Sequence, residues 1–252
     1  MSLKKALADN RVTTGSWITL GHPSIAEIMA RAGFDWLVVD LEHSMTTLEQ
    51  AAELIRTITL AGLPALVRLT SNHPDQIKRV MDAGASGIIV PMVTSGDDAR
   101  QALASMYYPP RGNRGVGLAR AQGYGSDFSG YQEWLANEAV CIVQIEHIGA
   151  VENCEEILSL EGVDGYFLGP YDLSASMGLV GLTSHPDVVG AMNTVRETAT
   201  RLGVPGGVHV VEPDRELLAE TIGKGFTFNA YSLDTRMLDV MCRQGVAAAD
   251  NA

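Results

Sequence analysis

Eight times along this chain a short apolar run is followed by a stretch with helical spacing of apolar residues, and few folds can accommodate that alternation. The runs are SWITL (16–20), WLVVDL (36–41), ALVRL (65–69), GIIVPMV (87–93), VCIVQIE (140–146), GYFLG (165–169), GVHVV (207–211) and FTFNAY (226–231). Between them lie amphipathic segments such as IAEIMARAG and PDQIKRVMDAG, which begin near Ser, Thr or Pro and stop at Gly, the signals of helix start and end. Near-continuous apolar strands alternating with helices imply a parallel sheet covered on both faces. Eight such units in 252 residues match a TIM (β/α)8 barrel, with a doubly wound sheet as the alternative. We read residues 1–252 as a single barrel domain, without repeat, low-complexity tract or interdomain linker.

Composition narrows the partners. The chain is 46% hydrophobic and 19% charged, with a formal net charge of -12. That balance argues against nucleic acid or an anionic membrane as partner. The three cysteines have neither CxxC nor zinc-ligand spacing, and no run reaches the roughly 18 apolar residues of a membrane span. MSLKKALADN lacks the apolar core of a signal peptide. The expected setting is a reducing cytoplasm.

In a (β/α)8 barrel the active site forms at the C-terminal ends of the strands. That rule selects Asp40, Glu42 and His43 after strand two, Arg68 after strand three, Gln144 and Glu146 after strand five, and Gly169-Pro170-Tyr171-Asp172 after strand six. Glu146 and Asp172 lie one βα unit apart, so their oxygens can converge on one cation. Two carboxylates without a nearby Cys or third His describe a hard-cation site, for Mg²⁺ or Mn²⁺. A paired acid and nucleophile of a glycosidase is the competing reading; Arg68 argues against it, because a guanidinium suits a carboxylate or a developing oxyanion. The free N–H groups of Tyr171 and Asp172 at a helix start would suit a substrate carboxylate. As bland readings, Arg68 would merely hold the rim, Asp172 would cap a helix, and Arg111 and Arg114 would bind either a distal carboxylate or a structural acid. The GNRGVG stretch (112–117) is not a dinucleotide fingerprint. It belongs to a long Gly-, Pro- and Arg-rich insertion, 107–137, of the kind that is usually functional or disordered.

Only four lysines are present, Lys4, Lys5, Lys78 and Lys224, and none falls at a strand end. Schiff-base chemistry requires a lysine in the pocket. If the protein handles a carbanion beside a carbonyl, a metal must act as Lewis acid.

DLEHS (40–44), LVRL (66–69), MDAGASGIIVPMV (81–93), YPPRGNRGVG (108–117), QIE (144–146) and DGYFLGPYDLSASMG (164–178) together resemble the HpcH/HpaI-type class II aldolases, from about residue 5 to 245. The resemblance implies a barrel of the phosphoenolpyruvate/pyruvate type, its last helix often exchanged between protomers, in a homo-oligomer, commonly a hexamer built as a trimer of dimers. It implies a divalent metal on Glu146 and Asp172, with Co²⁺ or Zn²⁺ as alternatives to Mg²⁺ or Mn²⁺. His43 would be the catalytic base and Arg68 the stabiliser of a pyruvate enolate. Gln144, Gly169, Tyr171 and Asp172 would contact the 2-oxo acid, and Val208 would face the substrate. Asp82 matches a position that tunes the histidine; it lies near the foot of strand four and would reach a His43 only across a subunit boundary. The implied reaction joins or separates a 2-oxo acid and an aldehyde. A malyl-CoA- or citramalyl-CoA-type lyase and a non-catalytic oxo-acid-binding barrel are the alternatives. Asn113, Tyr171, Thr46 and Thr47 depart from the pattern and bear on the choice of aldehyde.

Overall fold

A computed structural model describes the backbone of residues 1–250 and the side chains of residues 1–247. Eight parallel strands close into a barrel in sequence order: β1 (Thr13–Ile18), β2 (Trp36–Asp40), β3 (Ala65–Arg68), β4 (Gly87–Val90), β5 (Val140–Ile145), β6 (Gly165–Leu168), β7 (Gly206–Val210) and β8 (Phe228–Leu233). All eight expected strands are present, and the doubly wound alternative is excluded by the pairing of β1 with β8.

Two boundaries differ from expectation for identifiable reasons. β1 starts three residues early, at Thr13, because Gly15 belongs to it; a Cβ there would lie 2.1 Å from the Trp36 ring, so the strand needs the residue that weakens strands elsewhere. β4 ends at Val90 rather than at Val93 because Met92 adopts φ 52°, a left-handed conformation that no strand continues through.

Side chains alternate across each strand. Leu37, Val39, Val67, Ile88 and Val143 point outward to the helical layer. Trp36, Val38, Leu66, Ile89, Ile142, Phe167 and Phe228 point inward and fill the barrel, with Trp36 and Phe228 stacked at 4.2 Å. The interior is therefore a packed core rather than a pore. The first helix, Leu3–Ala8, stoppers its lower end: Leu3 and Leu7 join the inner cluster, and Lys4 pairs with Asp164 at 2.8 Å.

The 107–137 insertion is neither disordered nor at the rim. It follows the helix Gly96–Met106, which returns from the top of β4 to the bottom, and it ends in the helix Phe128–Asn137 that leads into β5. Tyr107, Tyr108, Arg114, Gln122 and Tyr131 are buried within it. Arg111 stacks on Tyr107 at 3.7 Å and Arg114 on Tyr108 at 4.3 Å. Within the chain, then, both arginines brace the insertion instead of binding a distal carboxylate.

Candidate active site

The alternation that fills the barrel also builds its upper rim. Beyond the last apolar layer, the inward positions are Trp17 on β1, Asp40 on β2, Arg68 on β3, Gln144 and Glu146 at the end of β5, and His209 on β7. Together with His43, Gly169, Tyr171 and Asp172, most of these line a cavity of about 380 Å³.

Asp40 and Arg68 are direct cross-strand partners. Arg68 Nε donates to Asp40 Oδ1 at 2.8 Å and Nη2 to Oδ2 at 2.7 Å, a bidentate pair. Asp40 is 1% exposed, and its Oδ1 also accepts the Glu42 amide at 3.0 Å. The third guanidinium nitrogen, Nη1, lies 3.2 Å from Glu42 Oε2, and the Arg68 plane sits 4.3 Å above the Trp17 ring. A guanidinium has five N–H groups. Two are donated to Asp40; Glu42 Oε2, though near Nη1, accepts no hydrogen bond, so both N–H groups of Nη1 and one of Nη2 lie outside the clamp. Nothing local in the sequence singles out Asp40 as the clamp or Trp17 as the platform.

Glu42 carries the cost of this crowding. Burial, with the charges of Glu146, Asp40 and Asp172, outweighs Arg68 and pushes its carboxyl up to about 7. A folded-state value above the ordinary 4.5 means that between those two pH values the unfolded chain releases a proton that the folded chain keeps. Stability then falls as pH rises through that window. We expect the metal-free protein to lose about 2 kcal/mol relative to Glu42→Gln between pH 5 and pH 8. Urea unfolding of both proteins at the two pH values measures it, and parallel pH profiles would contradict the assignment.

Glu146 is 2% exposed. Oε1 accepts the backbone N–H of Met92 at 2.7 Å and Oε2 accepts Gln144 Nε2 at 2.5 Å. The left-handed turn at Met92 aims that amide. Burial raises the Glu146 carboxyl, and the Asp172 charge raises it further, so the two acids feel one another. Asp172 is not the helix cap: Gly169 caps the helix Pro170–Ser176, and the exposed Asp172 carboxylate makes no hydrogen bond within the described residues. Gly169 has to be glycine, since a Cβ would stand 2.6 Å from Glu146 Oε2.

A divalent cation fits these donors. Glu146 and Asp172 are hard oxygens that repel each other when charged, and Gln144 Oε1 beside them is buried without a partner. Among the described residues no group of three or more His, Cys, Asp or Glu side chains could hold a metal. Glu146 and Asp172 would be the two protein ligands of such a cation, with the other positions left to water or substrate.

The histidines sort themselves. His22, His73, His147 and His185 each cap a helix through Nδ1, accepting from Ser24, Asp75, Gly149 and Asp187 amides. Only His43 and His209 remain at the rim. His43 is exposed, with Nε2 3.9 Å from Glu42 Oε2.

Two expected site residues lie elsewhere. Val208 is not among the residues lining the rim cavity: Gly207 and His209 take the inward positions of β7, and Val208 lines an adjoining cavity with Met192, Leu217 and Phe226 that shares Pro170, Tyr171 and His209 with the first. Asp82 ends the helix Pro74–Asp82 at the bottom of the barrel, where burial raises its carboxyl against the pull of Arg114. It is not at the rim of its own chain.

Fold and rim together define the class, a (β/α)8-barrel enzyme whose site is an acidic, arginine-clamped strand-end pocket. The sequence profile of the HpcH/HpaI aldolase/citrate lyase family matches residues 13–239. The chain is 39% identical over 237 residues to the hydroxypyruvate/pyruvate aldolase of Sagittula stellata, covering 93% of this chain and 92% of that protein. It is 37% identical to the 4-hydroxy-2-oxo-heptane-1,7-dioate aldolase of Salmonella typhimurium, covering 94% and 90%. A crystal structure of a family member from Burkholderia cenocepacia superposes with a TM-score of 0.92 at 34% identity, covering 98% of each chain. The protein belongs to the HpcH/HpaI aldolase/citrate lyase family.

Proposed function

We propose that the protein is a class II aldolase that cleaves 4-hydroxy-2-oxo acids to pyruvate and an aldehyde, and joins them in reverse. The observation that carries this reading is the meeting, in one pocket, of an acid pair fit for a divalent cation with an arginine that Asp40 clamps through Nε and Nη2, leaving Nη1 without a hydrogen bond. No lysine competes for the role of electrophile. Lys4, Lys5 and Lys224 are paired with Asp164, Asp9 and Glu220, Lys78 is exposed on its helix, and none lines the cavity.

A divalent cation held by Glu146 and Asp172, Mg²⁺ or Mn²⁺ on the oxygen donors, would supply Lewis acidity to the carboxylate and 2-oxo oxygen of the substrate. The free N–H groups of Arg68 face the oxygen on which negative charge grows, while Asp40 and Trp17 keep the guanidinium from moving with it. His43 takes the proton of the 4-hydroxyl. The C3–C4 bond breaks, its electrons pass into the enolate of pyruvate, and the C4 fragment leaves as the aldehyde. A proton returned to C3 completes pyruvate. Gln144, Gly169 and the backbone at Tyr171 border the oxo acid, and Tyr171, 63% exposed, stands at the mouth on the aldehyde side.

The assembly we propose is a cytoplasmic homo-oligomer, a hexamer built as a trimer of dimers, in which Asp82 approaches a His43 of a neighbouring subunit. In support, the C-terminal helix exposes Leu238, Met241 and Val246. No helix among the described residues is long and apolar enough to cross a membrane.

A panel of 4-hydroxy-2-oxo acids assayed for pyruvate release, with and without EDTA, tests the reaction. We expect release that chelation abolishes and Mg²⁺ or Mn²⁺ restores. Activity surviving complete chelation would refute the metal-assisted reading. Depletion of malyl-CoA instead would favour the acyl-CoA lyase, and tight oxalate binding without turnover a non-catalytic barrel.

A further inference from the structure

Glu42 and His43 are consecutive residues, and in an extended chain consecutive side chains point apart. Here they share a side, with His43 Nε2 3.9 Å from Glu42 Oε2. The turn after β2 is built to bring this about. Asp40 Oδ1 accepts the amides of Glu42 at 3.0 Å and of His43 at 3.4 Å. Ser44 Oγ donates back to the Asp40 carbonyl, and the Thr46 amide donates to Ser44 Oγ at 3.1 Å. Asp40 also holds Arg68 through both carboxylate oxygens. One buried carboxylate therefore fixes both the arginine and the segment that carries the histidine.

Glu42 Oε2 is buried and accepts no hydrogen bond, although two donors flank it, Arg68 Nη1 at 3.2 Å and the His43 ring. An unpaired buried acceptor is costly. Arg68 is already held by Asp40. The His43 ring, 65% exposed, is free to turn and close the remaining gap, and such contacts in a ligand-free site tighten when the site is filled. Burial pushes the Glu42 carboxyl up to about 7 against the pull of Arg68, with Glu146, Asp40 and Asp172 adding to the rise, so above that pH it is an anion facing the imidazole.

We propose that Glu42 is the positioning residue of His43: its Oε2 accepts a hydrogen bond from Nε2–H, which leaves the lone pair of Nδ1 as the base that meets the 4-hydroxyl. When Nδ1 takes that proton the ring becomes a cation, and the carboxylate beside it steadies the charge while the C3–C4 bond breaks. Solvent then takes the proton from the exposed ring and supplies the one that C3 gains. This rests on the aldolase reading and names the group that orients its base, a carboxylate from the same turn.

The test compares two routes to pyruvate in the Mg²⁺-loaded protein at about pH 8. Cleavage of a 4-hydroxy-2-oxo acid needs the base. Decarboxylation of oxaloacetate forms the same enolate by losing CO₂ and has no hydroxyl proton to remove. A general disturbance of Arg68 or of the cation lowers both, so the readout is the ratio of the two kcat values. We expect that ratio to fall roughly tenfold or more in Glu42→Leu and to be partly kept in Glu42→Gln, whose amide oxygen still accepts from Nε2–H. A ratio in the Leu variant within about twofold of wild type overturns the proposal. A crystal structure of the Mg²⁺-loaded protein gives a second readout: we expect Nε2 within about 3.2 Å of Glu42 Oε2, and a ring turned away from Glu42 overturns the proposal. If wild type cleaves no 4-hydroxy-2-oxo acid, the aldolase reading is what has failed, and the crystal distance alone decides on Glu42. The same distance decides if wild type leaves oxaloacetate intact.

Discussion

Replacing Arg68 by lysine lowers turnover by roughly a hundredfold or more while leaving the protein folded. Two of its five N–H groups are donated to Asp40, at 2.8 and 2.7 Å, and Nη1, 3.2 Å from Glu42 Oε2 but not hydrogen-bonded to it, is left to donate where charge would develop on the enolate oxygen. An ammonium keeps the charge but has no planar fork, so it cannot stay clamped to Asp40 and also donate in a fixed direction. Loss of one such preorganised donor costs about 2.7–4 kcal/mol in the transition state. Lysine is the informative substitution, because alanine would also strand the buried Asp40 carboxylate, a defect that typically costs about 3–5 kcal/mol of stability. Pyruvate release gives the turnover and urea unfolding gives the stability. A lysine variant with nearly normal kcat would remove Arg68 from the chemistry.

The second large effect is at Glu146. With Gln there, metal affinity falls by more than about a hundredfold and aldol cleavage is lost with it. The substitution separates metal binding from folding unusually well. The remaining side-chain oxygen still accepts the Met92 amide. The new NH2 group can donate to Gln144 once that amide turns its oxygen, now buried without a partner, toward position 146. Removing a buried charge that Asp172 opposes also relieves the metal-free protein. Without metal, therefore, Glu146→Gln unfolds at the same urea concentration as wild type or a higher one. At a metal concentration a hundred times Kd, wild type gains about 2.7 kcal/mol, and the variant gains almost none. If both proteins gain equally on adding Mg²⁺ or Mn²⁺, the metal is bound somewhere else.

Much of the rim can be read from the sequence because strand alternation and the strand-end rule act together. Arg68 follows Leu66, Gln144 follows Ile142 and Glu146 follows Gln144 at intervals of two, so once the apolar layer is placed, the polar layer above it is placed as well. What escapes this reasoning depends on which parity faces inward. In GVHVV nothing local distinguishes Val208 from His209, and only the packing of Gly207 beneath Phe167 and Phe228 decides it. Asp40 looks like a candidate in its own right until Arg68 is seen beside it, because register between neighbouring strands is a tertiary property. The left-handed residues Met92 and Ser232 have no signature at all: neither is Gly or Asn, and each is held by contacts from a different strand. The 107–137 insertion misleads for the opposite reason, since a Gly- and Pro-rich composition does not reveal the tyrosines and arginine that bury it.

The filled interior of the barrel has a kinetic consequence. With Trp36, Phe167 and Phe228 filling the barrel beneath the rim and Leu3 and Leu7 packed below them, no route runs through the barrel, and molecules that reach the site from the rim must queue. The oxo acid, seated inward, goes in before its aldehyde partner during synthesis, and the aldehyde departs ahead of it during cleavage. An ordered sequence of arrivals and departures thus follows from the side chains that fill the barrel beneath the chemistry.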